Sequence, residues 1–177
     1  MNKTQRFIIY ISVLILVSAV GIILIQQSTR PTIHSEGIDL IFIYGVRGNR
    51  HNPVNRLDTF NNTFTKDMVR DPSITFELEI SDEDLTHMVE KMDEIGFYNY
   101  PSQYTPKVAH GGVTPYITYE LQVYRYGVLV KSVRMDTDIW SEDDETRNLR
   151  SLFGLIIKVI ENSEAFKNSP KPTSGYA

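Results

Sequence analysis

The chain contains no cysteine. That excludes disulfides, thiolate metal sites, cysteine nucleophiles and attachment through a lipid-modified cysteine. Any domain it forms must be held by its own core. Positive charge is also short: 18 Lys and Arg against 22 Asp and Glu give a formal −4. Lys3 and Arg6 are the only charged residues within 1–29, and removing their +2 leaves −6 on the rest. A negative surface disfavours DNA or RNA, whose phosphates need a basic face. The GxSxG nucleophile motif is missing, and the four histidines, His34, His51, His87 and His110, form no HxH, HxxxH or HExxH pair. No cofactor is expected.

What is present in quantity is one long apolar run. Residues 7–25 read FIIYISVLILVSAVGIILI, without charge or proline. At a helical rise of about 1.5 Å per residue this reaches about 28 Å, close to the hydrocarbon thickness of a bilayer. The run is expected to be a single-pass transmembrane anchor. Lys3 and Arg6 ahead of it favour a cytoplasmic N-terminus, so the rest of the chain works outside the cell membrane. The alternative is a cleaved signal peptide, with Val17-Ser18-Ala19 as the cleavage site and a secreted product. Under the anchor reading, residues 1–6 are cytoplasmic, 26–36 form a polar tether, 37–167 an extracytoplasmic domain and 168–177 a tail.

Beyond the tether, Ile38–Tyr44 is a β-branched, aromatic strand, expected to be central with both faces covered. Gly45–Pro53 reads as a loop. Leu57–Val69 is either a hairpin turned at Asn61-Asn62 or one bent strand. Ile74–Ile80 alternates as a half-buried strand. Ser81 then caps a helix that Asp84 supports, with Leu85, Met88, Val89, Met92 and Ile95 on one stripe and Gly96 at its end. Residues 97–115 lack periodicity. Tyr126-Gly127 turns a hairpin between Tyr116–Arg125 and Val128–Met135. A last helix covers Asp144–Phe166. Strands outnumber helices and do not alternate with them. The fold class is therefore α+β: one N-terminal transmembrane helix, then an antiparallel sheet covered by two amphipathic helices.

Tyrosines crowd residues 98–126. Tyr98, Tyr100, Tyr104 and Tyr116 could form a contact face for a protein, peptide or glycan partner outside the cell, because tyrosine offers rigid area and a hydroxyl. They could equally pack the core, since tyrosine is a good strand former. Carboxylates crowd 136–145, and Asp136, Asp138 and Glu142 could ligate a hard cation. The same segment could instead cap the last helix through Ser141 or Asp143. His51 or His110 could meet Asp58 or Asp67 to make a hydrolytic site. The leading expectation is a membrane-anchored extracytoplasmic binding domain; an extracytoplasmic hydrolase and a cation-binding domain are the alternatives.

Leu57-Asp58-Thr59-Phe60, Thr65-Lys66-Asp67-Met68, Val113-Thr114-Pro115-Tyr116, Trp140 and the ending Pro170-Lys171-Pro172-Thr173-Ser174-Gly175-Tyr176 together resemble small exported or membrane-anchored proteins of Bacillus- and Paenibacillus-like bacteria. The resemblance runs over nearly the whole segment beyond the anchor. It implies a source and a location, and brings no activity and no site residue. Such proteins often carry a lipid-attachment cysteine, which this chain lacks.

Overall fold

The computed structural model describes residues 35–47, 55–106, 116–137 and 143–173. The chain divides into two units, Met1–Ile33 and His34–Ala177, and every described residue belongs to the second. Among the described residues no helix is long and apolar enough to cross a membrane. The expected anchor at 7–25 lies outside them.

The elements run β1 (Ile38–Arg47), β2 (Asn55–Asp58), β3 (Thr63–Met68), β4 (Asp71–Glu77), α1 (Asp82–Glu94), a 3-10 turn (Phe97–Asn99), β5 (Gln103–Tyr104), β6 (Tyr116–Arg125), β7 (Val128–Thr137), α2 (Asp144–Asn162) and α3 (Glu164–Asn168). The strands form one sheet in the order β4-β3-β2-β1-β6-β7-β5. The α+β class stands, with one correction: the sheet is mixed rather than antiparallel throughout. β5 pairs parallel to β7, with Tyr104 opposite Met135, because the chain returns from the 3-10 turn alongside the last strand. Arg134 N–H donates to Ser102 O at 2.8 Å and begins that pairing.

β1 sits mid-sheet between β2 and β6 and extends to Arg47, through Gly45, which composition had given to a loop. Among the described residues a helix covers only one of its faces. Ile38, Leu40 and Phe42 are buried, whereas Ile41 and Ile43 are only part-buried. α2 supplies the cover: Phe153 stacks on Phe42 at 5.5 Å and on Tyr119 at 5.1 Å. Leu149, Leu152, Ile156 and Ile160 complete its buried stripe. α1 packs beside α2 and buries Met88, Val89 and Met92. Burial, then the charge of Glu161 and the neighbouring Tyr119, holds the Tyr44 hydroxyl far above the usual phenol range.

Local chemistry explains the boundaries. Asn62, at φ 49°, turns β2 into β3, which resolves 57–69 as a hairpin. β4 starts and ends three residues earlier than the alternation suggested. It is the edge strand, so Pro72 can stand in it without costing an interior ladder bond. Ser81 Oγ accepts from Asp84 N at 3.1 Å, and Gly96, at φ 65°, ends the α1 turn as expected. The last helix is not continuous to Phe166. Ser163 adopts extended backbone, its hydroxyl accepts from Phe166 N at 3.1 Å, and α3 restarts in a new direction. The break brings the Phe166 ring to Phe64, at 5.9 Å.

The C-terminal segment is pinned to the sheet. Lys66, 8% exposed, donates from Nζ to Ser169 Oγ and Pro170 O, both at 2.8 Å, and lies 4.4 Å from the centre of the Phe166 ring. Burial first, then the charge of Lys171, lowers the Lys66 ammonium below the usual lysine range.

Candidate functional site: the uncovered sheet face

Opposite residues in an antiparallel ladder share a face. The registers therefore place Glu77, Thr63, Asp58, Ile41, Gln122 and Ser132 in one row across the side away from α2. Thr75, Thr65, Arg56, Ile43, Glu120 and Arg134 form the next row. Two part-buried isoleucines stand at the centre, flanked by polar groups on both sides.

The polar groups hold one another. Tyr124 Oη donates to Gln122 Oε1 at 2.8 Å, and Gln122 Nε2 donates to Glu120 Oε1 at 2.7 Å. Thr118 Oγ1 donates to Asp136 Oδ1 at 2.7 Å, with Arg134 Nε at 3.7 Å from the same oxygen. Arg56 Nη2 reaches Asp58 Oδ2 at 2.9 Å, and Asn61 donates to Asp58 through both its N–H and its Nδ2. Burial is the largest influence on Asp58 and opposes ionisation. The Arg56 and Asn61 hydrogen bonds together outweigh it and hold the carboxyl below the usual aspartate range. Phe60, 43% exposed, sets its ring edge-on to Tyr124 at 4.9 Å and closes one corner of the face.

The four tyrosines chosen from composition do not share one surface. Tyr100 and Tyr104 are 8% and 4% exposed. Tyr100 Oη donates to Glu145 O at 3.1 Å; Tyr104 Oη donates to Asp143 Oδ1 at 3.0 Å and lies 3.1 Å from Thr146 Oγ1. They fasten residues 97–106 to the first turn of α2. Burial leads, and with Asp143 raises the Tyr104 phenol despite the opposing Thr146 bond. The same two rings, with Gly96, Asn99, Pro101, Glu145 and Asn148, line an open cavity of about 230 Å³. That is smaller than pockets that enclose drug-sized ligands. Tyr98 is 37% exposed at the far side of the 3-10 turn, and Tyr116 is half-exposed at the start of β6.

Of the proposed cation ligands, Asp136 is engaged by Thr118 and Arg134, while Asp138 and Glu142 lie outside the described residues. Among the described residues no group of His, Asp and Glu could hold a metal ion. Asp143 is the α2 cap: its Oδ1 accepts from Thr146 N at 2.7 Å. Asp67 Oδ1 accepts from Val69 N at 2.8 Å within the β3–β4 turn. His51 and His110 lie outside the described residues, and His87 is exposed on α1.

Ile41 and Ile43 were missed as surface residues because β1 alone reads as apolar on both sides. Their partners carried the signal: polar Glu120 and Gln122, in register with them, mark that side as wet. No protein-family model matches the chain, and none of the curated proteins compared with it matches.

Proposed function

We propose that this protein is a membrane-anchored extracytoplasmic binding domain whose contact surface is the uncovered sheet face. The carrying observation is the pair Ile41 and Ile43, only part-buried in mid-sheet on the side away from α2 and framed by Arg56, Asp58, Glu120 and Gln122. An apolar centre inside a polar rim is the anatomy of protein contacts. The face is several strands wide, which suits a protein partner better than a small molecule. The hydrogen-bonded rows pre-order the side chains, so little rotamer entropy is lost on contact. The location rests on the apolar run at 7–25 and the charges ahead of it.

Two measurements on the full chain test the two halves of this reading. A photo-crosslinking residue at position 43 should give a discrete adduct in intact cells that one at position 158, on the exposed side of α2, does not. Ile41→Thr with Ile43→Thr, β-branched and uncharged beside Asp58 and Glu120, should remove the adduct formed from a crosslinker at position 122 while the chain still melts cooperatively. Equal adducts from 43 and 158 sink the contact surface. For the location, Thr75→Cys would be the chain's sole thiol, and a membrane-impermeant maleimide should label it in intact cells. Labelling only after lysis sinks the external placement.

A further inference from the structure

Among the described residues the β6–β7 hairpin ends in an exposed apolar tip. Tyr126 is 73% exposed, Val128 65%, Leu129 50% and Val130 47%. Three consecutive apolar residues cannot all face outward on a regular strand, where neighbours alternate. A bulge permits it here: Val123 pairs with Lys131 and Tyr124 with Leu129, so Val130 is the extra residue. Exposed runs of this kind cost solubility unless something uses them.

The position of the tip says what uses it. Ile38, the first residue of β1, pairs with Arg125, and Tyr126 N–H donates to Gly37 O at 2.6 Å. The Tyr126 ring lies directly over Gly37, so close that a Cβ there would clash with Tyr126 Cε1. The tip therefore stands at the end of the domain where the chain arrives from residue 34. Only residues 26–36 separate Gly37 from the apolar run 7–25, at most about 40 Å of extended chain. Tyr98 adds a second aromatic near this end: Lys131, the partner of Val123 in β6, donates from Nζ to its carbonyl at 2.9 Å. Tyrosines and a basic side chain around an aliphatic centre are the residue types that settle at a bilayer surface.

We propose that the hairpin tip Tyr126–Val130 dips into the lipid interface and holds the domain against the bilayer. The inference rests on the anchor reading. It needs no anionic lipid, because the contact is apolar and the domain is net negative. A second copy of this chain is the competing occupant of the tip.

The missing cysteines make the test clean. Full-length chain carrying Leu129→Cys, and separately Glu161→Cys beyond the far half of β1, is labelled with an environment-sensitive fluorophore and reconstituted into phosphatidylcholine vesicles containing a lipid-borne quencher. Quenching should be several-fold stronger at 129 than at 161, and unchanged when phosphatidylglycerol is added. Equal, weak quenching in chain that resists alkaline extraction overturns the tip contact and leaves the anchor standing. Chain that alkali releases overturns both. A disulfide-linked dimer formed through unlabelled Leu129→Cys, with no quenching in the labelled sample, assigns the tip to a second copy and overturns the lipid contact. Val128→Ser with Val130→Ser gives an independent readout: both side chains are exposed, so the melt should hold while quenching at 129 falls.

Discussion

The two faces of one sheet are built from the same strands and obey different rules. On the covered face Leu40, Phe42, Leu57, Phe64, Leu121, Val123, Val133 and Met135 are fully buried, and their work is packing. On the other face neighbouring residues of those strands form short hydrogen-bonded chains around Ile41 and Ile43. Period-two alternation lets a strand serve both ends, so stability and contact can be altered separately. With no disulfide to support it, the covered face carries the fold.

The strongest way to break this contrast is Phe153→Ala, which removes the ring stacked on Phe42 and Tyr119. Denaturant unfolding should show a loss of about 3–5 kcal/mol. Asp143→Ala strips the α2 cap and leaves the Tyr104 hydroxyl with Thr146 alone, and should cost about 1–2 kcal/mol in the same assay. Val69 holds φ 66°, a left-handed conformation that a β-branched residue adopts only under strain. Val69→Gly should gain about 1 kcal/mol, and an unchanged midpoint would deny the strain. Asp58 supplies a pH signature. Its carboxyl is lowered in the fold, so its contribution is complete above the unfolded value of about 3.9 and is lost as pH falls through the folded value. Asp58→Asn should flatten that part of the acid limb, read by thermal melts across pH. The smallest effect should come from Glu120→Gln on the uncovered face, within about 0.5 kcal/mol.

Much of the fold was legible because its signals are local. Ser81 with Asp84, the Tyr126-Gly127 turn and the α2 stripe at Leu149, Leu152, Phe153, Ile156 and Ile160 each depend on a few adjacent residues. What escaped depends on pairing between distant segments. The two residues of β5 carry no periodicity, and only β7 makes them a strand. Ser163 sits inside an apolar pattern that continues past it, and the contacts of Phe166 with Phe64 and Lys66, made across the break, join segments about a hundred residues apart. The same holds for the site. Tyrosine abundance could not separate Tyr100 and Tyr104, turned inward to cap-side partners, from Tyr126, which stays exposed.

β1 is both the first of the described strands and the middle strand of the sheet. A tug arriving through residue 35 is therefore delivered along a strand gripped on two flanks, by ten registered pairs with β6 and four with β2. Those bonds lie across the direction of pull, so they must yield in shear together instead of unzipping one after another. A domain pulled between that end and a ligand on its sheet would bear tension through its middle strand, and its edges could fray without letting go.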